Sequence, residues 1–235
     1  MALVTGASRG IGRAVAELLA RHGATVVVCA REASALDEVT SAIAQAGGRA
    51  FAVPGDITDD AFVESLFATV RQRFRRLDIL VNSAGCAPFA PVEDLPVHQF
   101  RHCVMLNLVA AYACMQQAIR LMKETGGGGK IVNIGSVRSH WSEAGDAGAY
   151  NASKHGLRAL TESVARQLHG SGVNIAVGMV SPGIVDTTLT NPGCAPRPDW
   201  LKPETVAQAV LNAVTAPPDV NVFSTVLFPM SQKPW

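Results

Sequence analysis

Runs of β-branched residues alternate with helix-like stretches along almost the whole chain, and this alternation restricts the possible folds more than any other sequence feature. Continuous apolar runs such as Val26-Val27-Val28 are typical of strands that are buried on both faces, as in parallel sheets covered by helices. Strands and helices that alternate in this way are joined by right-handed crossovers into a doubly wound α/β fold. We therefore predict a parallel sheet between two layers of helices.

The predicted elements follow one another without a linker, because no Pro-rich or Ser-rich stretch divides the 235 residues. Strands are predicted at 2–5, 25–30, 50–53, 79–82, 130–134, 174–180 and 221–228. Helices are predicted at 11–22, 34–46, 59–74, 99–124, 150–169 and 203–215. The chain is accordingly predicted to form one Rossmann-type domain of three α/β/α layers over 1–235.

Composition argues against several classes of partner. The net charge is +1 and the basic residues are scattered, so neither nucleic acid nor an anionic membrane is expected to bind. No apolar run approaches the ~18 residues that a membrane span needs, and a predicted strand begins directly after Met1, where a signal peptide would lie. The five cysteines include no CxxC and have no His at metal spacing. We therefore expect free thiols, no metal site and a cytoplasmic location.

A glycine-rich turn follows the first predicted strand. It reads Thr5-Gly6-Ala7-Ser8-Arg9-Gly10-Ile11-Gly12. These glycines allow a tight turn, and the free N–H groups at the start of the next helix then face a bound pyrophosphate. The spacing is GxxxGxG and differs from the common GxGxxG fingerprint of dinucleotide-binding proteins. Its position between a strand and a helix favours a dinucleotide site over a purely structural turn.

The end of the second strand indicates which dinucleotide is bound. An acidic residue in this region would bind the adenosine ribose of NAD, but the sequence reads Cys29-Ala30-Arg31-Glu32. Arg31 can pair with a 2′-phosphate, and Arg9 can approach it from the glycine-rich turn. NADP(H) is therefore predicted, with NAD(H) as the alternative if Glu32 occupies the strand end or both arginines are merely solvated.

Polar residues also follow the third and fourth strands. Asp56 is suited to accept the adenine amino group, or it caps the next helix in competition with Thr58 and Asp59. The segment 82–85 consists of small residues that permit close approach of the backbone. Asn107 interrupts an apolar helical stretch, so its amide is expected to bind a specific partner or to tie the helix to a strand.

Tyr150 and Lys154 lie four residues apart in a predicted helix, which places them on the same face. A phenol with a pKa of ~10 exchanges protons poorly at neutral pH. We expect the ammonium of Lys154 to lower the pKa of Tyr150 toward the working pH, which suits general acid–base chemistry. Ser136 follows the fifth strand and Pro182-Gly183 ends the sixth, so all these groups converge at the carboxyl edge of the sheet.

Together these motifs resemble the short-chain dehydrogenase/reductase family in its compact single-domain form, over nearly the whole chain. The matching positions are Thr5-Gly-xxx-Gly10-Ile11-Gly12, Asp56, Asn82-Ser-Ala-Gly85, Asn107, Ser136, Tyr150-xxx-Lys154, and Pro182-Gly183 followed by Thr187. The resemblance implies a catalytic set of Asn107, Ser136, Tyr150 and Lys154. In that set the tyrosine transfers the proton, the serine binds the substrate oxygen, the lysine assists the phenol and binds the nicotinamide ribose, and the asparagine holds a relay water.

The resemblance also implies cofactor contacts along the whole carboxyl edge of the sheet. These residues are Gly6, Ser8, Arg9, Gly10, Ile11, Gly12, Arg31, Asp56, Ile57, Asn82, Ala84, Gly85, Asn107, Tyr150, Lys154, Pro182, Gly183, Val185 and Thr187. Three features depart from the family pattern. Ser83 stands where the family usually has Asn, and the predicted lid is short. The gap between Ser136 and Tyr150 is one residue longer than is typical, so Ser139 is an alternative catalytic serine. The substrate loop is predicted at 136–149 and the lid at 188–200.

The implied function is an NADP(H)-dependent oxidoreductase that interconverts a small-molecule carbonyl compound and a secondary alcohol. A non-catalytic nucleotide-binding sensor on the same fold is the alternative. An epimerase of the extended family fits poorly, since only about fifty residues follow Pro182-Gly183. The resemblance further implies a homotetramer or a homodimer.

Overall fold

The computed structural model describes residues 1–142, 145–193, 195 and 197–233. The strands are β1 (Ala2–Thr5), β2 (Thr25–Ala30), β3 (Arg49–Pro54), β4 (Ile79–Asn82), β5 (Gly129–Ile134), β6 (Ile175–Pro182) and β7 (Ser224–Leu227). The helices are α1 (Gly10–Arg21), α2 (Ala33–Gln45), α3 (Asp60–Phe74), α4 (Val97–Val104), α5 (Ala110–Thr125), α6 (Gly148–Leu168) and α7 (Pro203–Val214). A π-helical segment, Met105–Val109, joins α4 to α5, and a short 3-10 helix covers Val137–Ser139.

The seven strands form one parallel sheet in the order β3-β2-β1-β4-β5-β6-β7. The chain winds outward from β1 through β2 to β3 and then returns to the other side of β1 with β4. Val4 of β1 therefore pairs with Val28 on one side and with Val81 on the other. The switch point therefore lies between β1 and β4, and ligands of such sheets bind outside the carboxyl ends of the strands there. The predicted doubly wound fold is confirmed.

Strand β2 explains why both faces of the sheet are covered. Its valines alternate between the faces, so that Val26 and Val28 pack into a core with α1, α2 and α7, whereas Val27 packs on the opposite face with α3 and α5. All three side chains are fully buried. A continuous apolar strand thus requires a helical layer on each side, which is the three-layer arrangement that the sequence predicts.

The predicted helix over 99–124 is the main departure in secondary structure. The structure divides this region into α4, the π-helical segment and α5, with the wide turn at Met105–Val109. Apolar periodicity does not reveal such a turn, because a single added residue leaves the residues on both sides helical. π-helical turns occur frequently at functional sites, and this one carries Asn107.

Candidate active site

The carboxyl ends of β1 to β6 surround a continuous cleft of ≈360 Å³. Every predicted catalytic or cofactor-binding residue lines this cleft except Asn82 and Asn107. The structure therefore brings these predicted residues together around one cleft, and the two exceptions lie just behind its wall.

The glycine-rich turn forms a cradle into which no side chain fits. A Cβ atom on Gly6 would lie 2.6 Å from the Cα of Ala84, and one on Gly12 would lie 2.3 Å from the carbonyl oxygen of Gly6. Gly6 and Gly10 also have positive φ angles, which glycine tolerates best. Helix α1 begins at Gly10 without a side-chain cap or an acidic residue in its first turn, so its free N–H groups suit a phosphate.

The adenosine end of the cleft carries both predicted arginines. Arg9 and Arg31 are exposed and line the cleft, as does the exposed Glu32 at the start of α2. The carboxylate of Asp56 accepts from the backbone N–H of Thr58 at 2.9 Å and from its hydroxyl at 2.8 Å. Burial alone would raise the pKa of Asp56, but these hydrogen bonds and the charge of Arg31 outweigh it and hold the pKa below its usual value.

The cap of α3 settles one alternative from the sequence. Asp59 is the residue that caps this helix, since its side chain accepts from the N–H of Ala61 at 2.9 Å. Asp56 instead closes a local turn through Thr58 while it lines the cleft beside Ile57. Thr58 acts as the donor to Asp56 and not as a helix cap.

Ser136, Tyr150 and Lys154 line the same cleft as the glycine-rich turn. Ser136 is buried, and its Oγ accepts the N–H of Arg138 at 3.1 Å, which leaves the hydroxyl proton to be donated elsewhere. The side chain of Ser136 forms a hydrogen bond with the phenol of Tyr150. Lys154 is also buried, and its Nζ donates to the carbonyl oxygen of Ile134 at 2.7 Å. This bond anchors α6 to the end of β5.

The pKa of the phenol differs from the sequence expectation. Burial raises the pKa of Tyr150, and the hydrogen bond of Ser136 and the charge of Arg138 act in the opposite direction without cancelling it. Burial also lowers the pKa of Lys154 to about 8. The expected acidification of the phenol by Lys154 is therefore wrong for this structure, because the same enclosure that brings the two groups together disfavours charge on both.

Asn107 lies behind the cleft and ties the π-helical segment to the loop that follows β4. Its Oδ1 accepts the N–H of Cys86 at 2.9 Å, and its Nδ2 donates to the carbonyl oxygen of the same residue at 2.9 Å. Nδ2 also donates to the Oγ of Ser153 at 2.9 Å. The structure thus shows a bracing role between helix and loop.

Two further polar predictions are corrected by the structure. The side chain of Asn82 does not line the cleft; its Nδ2 donates to the Oδ1 of Asn133 at 2.9 Å, and Asn133 continues to the hydroxyl of Thr161. Ser139, the alternative catalytic serine, is fully buried, and its Oγ accepts the N–H of Ser136 at 3.1 Å. Ser139 therefore positions Ser136 and lies away from the cleft.

The predicted lid after Thr187 is anchored by Asp186, which lies just before it in the sequence. The carboxylate of Asp186 accepts from the Nδ2 of Asn191 and pairs with the Nζ of Lys202, both at 2.9 Å. Chiefly through these two contacts, the pKa of Asp186 is lowered to about 2. Lid positions 194 and 196 lie outside the described residues, as do loop positions 143 and 144.

Several residues of the cleft are missed by motif analysis. Leu106, Ile134 and Thr188–Thr190 line it without any motif that marks them. Beside the cleft, the ring of Phe89 is 55% exposed and its centroid lies 6.4 Å from that of the Tyr150 ring; Phe89 also carries no sequence signal. These positions depend on how the loops fold over the edge of the sheet, which local patterns do not specify.

The chain is similar in sequence to known proteins over most of its length. The sequence pattern of the family described as short chain dehydrogenase matches residues 1–195. The uncharacterized oxidoreductase YgfF of Escherichia coli (strain K12) is 36% identical over 226 residues, which cover 90% of this chain and 91% of the relative.

Solved structures show the same architecture. The alcohol dehydrogenase from the archaeon Thermococcus sibiricus, complexed with 5-hydroxy-NADP, superimposes with a TM-score of 0.89 and 30% identity, covering 100% of this chain and 98% of the other. A short chain dehydrogenase from Burkholderia cenocepacia J2315 in complex with NADP gives a TM-score of 0.88 and 31% identity, covering 98% and 96%.

Proposed function

The chain belongs to the short-chain dehydrogenase family, and from this premise we propose that it is an NADP(H)-dependent oxidoreductase that interconverts a carbonyl compound and a secondary alcohol. The observation that carries the proposal is the presence of Ser136, Tyr150 and Lys154 in the same cleft as the glycine cradle. A proton donor, an oxygen-binding hydroxyl and a phosphate site within one cleft match what carbonyl reduction requires.

The cleft fits a nicotinamide dinucleotide. The close backbone packing at Gly6 and Gly12 forms a tight turn, and the start of α1 at Gly10 has no side-chain cap and no acidic residue in its first turn. On this proposal the N–H groups at the start of α1 hold the pyrophosphate, and Val185 and Thr187 hold the nicotinamide carboxamide. When bound, the dinucleotide supplies the hydride in the direction of carbonyl reduction and accepts it in the reverse direction.

The residues of this chain would perform the proton chemistry. The hydroxyl of Ser136 donates to the carbonyl oxygen and stabilises the charge that develops there. Tyr150, whose raised pKa keeps the phenol protonated at neutral pH, donates its proton to the same oxygen. Lys154 contributes positive charge as the phenolate forms and binds the ribose through the N–H groups not engaged by Ile134. Asn107 joins the π-helical segment to the loop that follows β4, behind these three residues.

The preference for NADP rests on the charges at the adenosine end. Arg31 and Arg9 line the cleft, and a guanidinium pairs with a 2′-phosphate through two parallel hydrogen bonds. Glu32 lines the same end and would repel that phosphate. We propose that the two arginines outweigh the single carboxylate. Two similar structures contain NADP or 5-hydroxy-NADP, which is in keeping with this preference.

The aromatic ring beside the phenol favours a carbonyl compound with an apolar substituent. The exposed ring of Phe89 lies beside the ring of Tyr150, which lines the cleft. The short segment after Thr187 is held by the contacts of Asp186 with Asn191 and Lys202. We propose that 136–149 forms the substrate loop and 188–200 the lid of the single domain.

An exposed apolar stripe supports self-association. Val97, Met105, Val109 and Tyr112 recur at helical spacing along α4, the π-helical segment and α5, and all four are exposed. Monomeric proteins rarely expose such a stripe without a partner. We propose a homodimer or homotetramer that uses this face. We also propose a cytoplasmic location, since Cys29, Cys86, Cys103 and Cys114 are free thiols.

The decisive experiment measures oxidation of NADPH by the purified protein over a panel of carbonyl compounds that ranges from small aliphatic ketones to aryl ketones. Turnover of at least one class, faster with NADPH than with NADH, is the expected result. Tight binding of NADPH without turnover of any carbonyl or alcohol contradicts the enzyme and favours the alternative, a nucleotide-binding sensor. Failure to bind either dinucleotide contradicts both.

A further inference from the structure

The segment 228–232, which follows β7, returns to the edge of the sheet that carries the cleft. At the end of β7 the carbonyl oxygen of Leu227 accepts the N–H of Gly183, in the loop that follows β6, at 2.7 Å. The chain then turns back, because the N–H of Gln232 donates to the carbonyl oxygen of Pro229 at 3.0 Å. This turn brings the side chain of Gln232 against the loop that follows β6.

The carboxamide of Gln232 binds the backbone of this loop directly. Its Oε1 accepts the N–H of Ile184 at 2.8 Å, and only the oxygen end of a carboxamide accepts from an N–H. The approach is close, since a Cβ atom on Gly183 would lie 2.2 Å from the same oxygen and would displace it from Ile184. The half-buried Gln232 thus supplies the acceptor for a backbone group that β7 itself does not reach.

The peptide groups of Ile184 are held from two sides. The carbonyl oxygen of Ile184 accepts the N–H of Leu201 at 3.1 Å, and the N–H of Asp186 donates to the carbonyl oxygen of Leu201 at 2.8 Å. Leu201 therefore fixes the loop on one side and Gln232 fixes it on the other. Between these contacts lies Val185, which is buried and lines the cleft.

The segment 228–232 also contacts two other parts of the proposed site. The ring of Phe228 packs against that of Trp141, in the predicted substrate loop, with centroids 6.0 Å apart. The hydroxyl of Ser231 donates to the carbonyl oxygen of Asp199 in the predicted lid. One short segment therefore contacts the substrate loop, the lid and the loop that follows β6, and these contacts hold it in place against the last of the three.

We propose that Gln232 is a positioning residue, which fixes the loop after β6 in the conformation that holds the nicotinamide end of the dinucleotide. The inference rests on the proposed function, in which Val185 and Thr187 hold the carboxamide of the nicotinamide. Rotation of the peptide group that Gln232 binds at Ile184 would redirect the neighbouring peptide group of Val185. Hydride transfer requires the reacting atoms to lie about 3–3.5 Å apart, so a small displacement of the ring lowers the rate strongly.

The other end of the cleft does not depend on Gln232. Arg31 and Asp56 line the cleft after β2 and β3, which lie on the opposite side of β1 from β6 in the sheet. The loss of the Gln232 contact is therefore expected to affect the complete dinucleotide and not its adenosine half. The compound 2′,5′-ADP represents that half, because it carries the adenosine and the 2′-phosphate but no nicotinamide.

The first measurement needs neither dinucleotide nor substrate. Gln232→Leu removes the acceptor, whereas Gln232→Glu keeps a carboxylate oxygen that accepts the same N–H. We expect amide hydrogen exchange at Ile184, measured in the full-length protein, to be several-fold faster in Gln232→Leu and close to the unmodified rate in Gln232→Glu. Gln208→Leu is the matched control, because Gln208 is exposed on α7 and bonds only a surface asparagine, and it is expected to leave this exchange unchanged.

The second measurement compares ligands with and without the nicotinamide. Gln232→Leu is expected to weaken NADPH binding by ~3–10-fold, the effect of one hydrogen bond, and to leave the affinity for 2′,5′-ADP unchanged. The kcat for carbonyl reduction is expected to fall further, by ~10–100-fold, because geometry affects hydride transfer more than binding. Gln232→Glu is expected to restore NADPH binding and kcat, and Gln208→Leu to alter neither.

The readouts separate the possible failures. Unchanged exchange at Ile184 in Gln232→Leu overturns the contact itself. Faster exchange with an equal loss of affinity for NADPH and 2′,5′-ADP assigns Gln232 to the general stability of the cleft and overturns the positioning role, as does faster exchange with unchanged NADPH binding and kcat. If the unmodified protein turns over no carbonyl compound, the proposed oxidoreduction fails, and the comparison of NADPH with 2′,5′-ADP still decides whether Gln232 positions the nicotinamide end.

Discussion

The Nζ of Lys154 lies 5.7 Å from the centroid of the Tyr150 ring, one helical turn away on the same face of α6. The lysine is fixed in this position by its bond to the carbonyl oxygen of Ile134, at the end of the strand that leads into Ser136. Burial raises the pKa of the phenol and lowers that of the amine to about 8. At neutral pH the site thus holds a protonated phenol, which is the form that can donate to a carbonyl oxygen.

Replacing Tyr150 with Phe removes this proton donor and leaves the ring in place. We expect Tyr150→Phe to lower kcat for carbonyl reduction by ~10²–10⁴-fold, the usual contribution of a positioned general acid. Binding of NADPH, measured by fluorescence titration, is expected to change little, because the phosphate cradle is untouched.

The chain contains a matched control for this variant. Tyr112 is its other tyrosine, and it is exposed on α5. Tyr112→Phe is expected to retain full activity. Comparable kcat values for Tyr150→Phe and the unmodified protein contradict the assignment of Tyr150 as the acid.

The pH dependence follows from the direction of the phenol pKa. Carbonyl reduction requires the protonated phenol, so its kcat/KM is expected to remain level through neutral pH and to fall only in alkaline solution. Alcohol oxidation requires the phenolate, and its rate is expected to rise with pH over the same range. Initial rates in both directions, measured in buffers of constant ionic strength, test this. A reduction rate that already falls around neutrality contradicts a raised phenol pKa.

The arrangement of strands and the cleft were largely predictable from local patterns. Continuous valine runs such as that of β2 determine a sheet covered on both faces, and such a sheet has its binding edge at the carboxyl ends of the strands. Glycines at 6 and 12 are required by close backbone contacts within the tight turn that follows β1. The cradle, the fold and the edge that carries the polar residues therefore follow from short-range physics.

The direction of individual side chains was not predictable in the same way. Asn82 and Asn107 both occupy motif positions, but the π-helical turn and the buried Asn133 give them protein partners behind the cleft. The phenol pKa depends on how completely the surrounding loops exclude water, which is a property of tertiary packing. Local sequence specifies which residues face the cleft edge but not how far each is desolvated.

Cofactor preference is tested at Arg31. We expect Arg31→Ala to raise KM for NADPH by ~10–100-fold, which corresponds to the loss of one or two charge-assisted hydrogen bonds. KM for NADH is expected to change little, since NADH has no 2′-phosphate. Arg49→Ala is the control, because Arg49 is an exposed arginine at the opposite, amino-terminal end of a strand. An equal rise in KM for both dinucleotides contradicts a contact between Arg31 and the 2′-phosphate.

The buried ammonium of Lys154 is expected to lower the free energy of unfolding of the protein. Lowering its pKa from 10.5 to about 8 corresponds to a penalty of ~3 kcal/mol for holding the ammonium in the folded protein. Lys154→Met removes this penalty and the hydrogen bond to Ile134, which contributes ~1 kcal/mol. We therefore expect the variant to lose activity while its free energy of unfolding at pH 7 rises by about 1–2 kcal/mol, as measured by urea denaturation.

The pH dependence of that gain distinguishes desolvation from improved packing. Between pH 8 and 10.5 the unfolded chain binds a proton at Lys154 that the folded chain does not, so the stability of the unmodified protein rises with pH across this window. The advantage of Lys154→Met is therefore expected to be largest below pH 8 and to disappear toward pH 10.5. Lys123→Met, at an exposed lysine of α5, is expected to show neither effect. An advantage for Lys154→Met that stays constant with pH would assign it to packing, and a loss of stability at pH 7 would contradict the penalty itself.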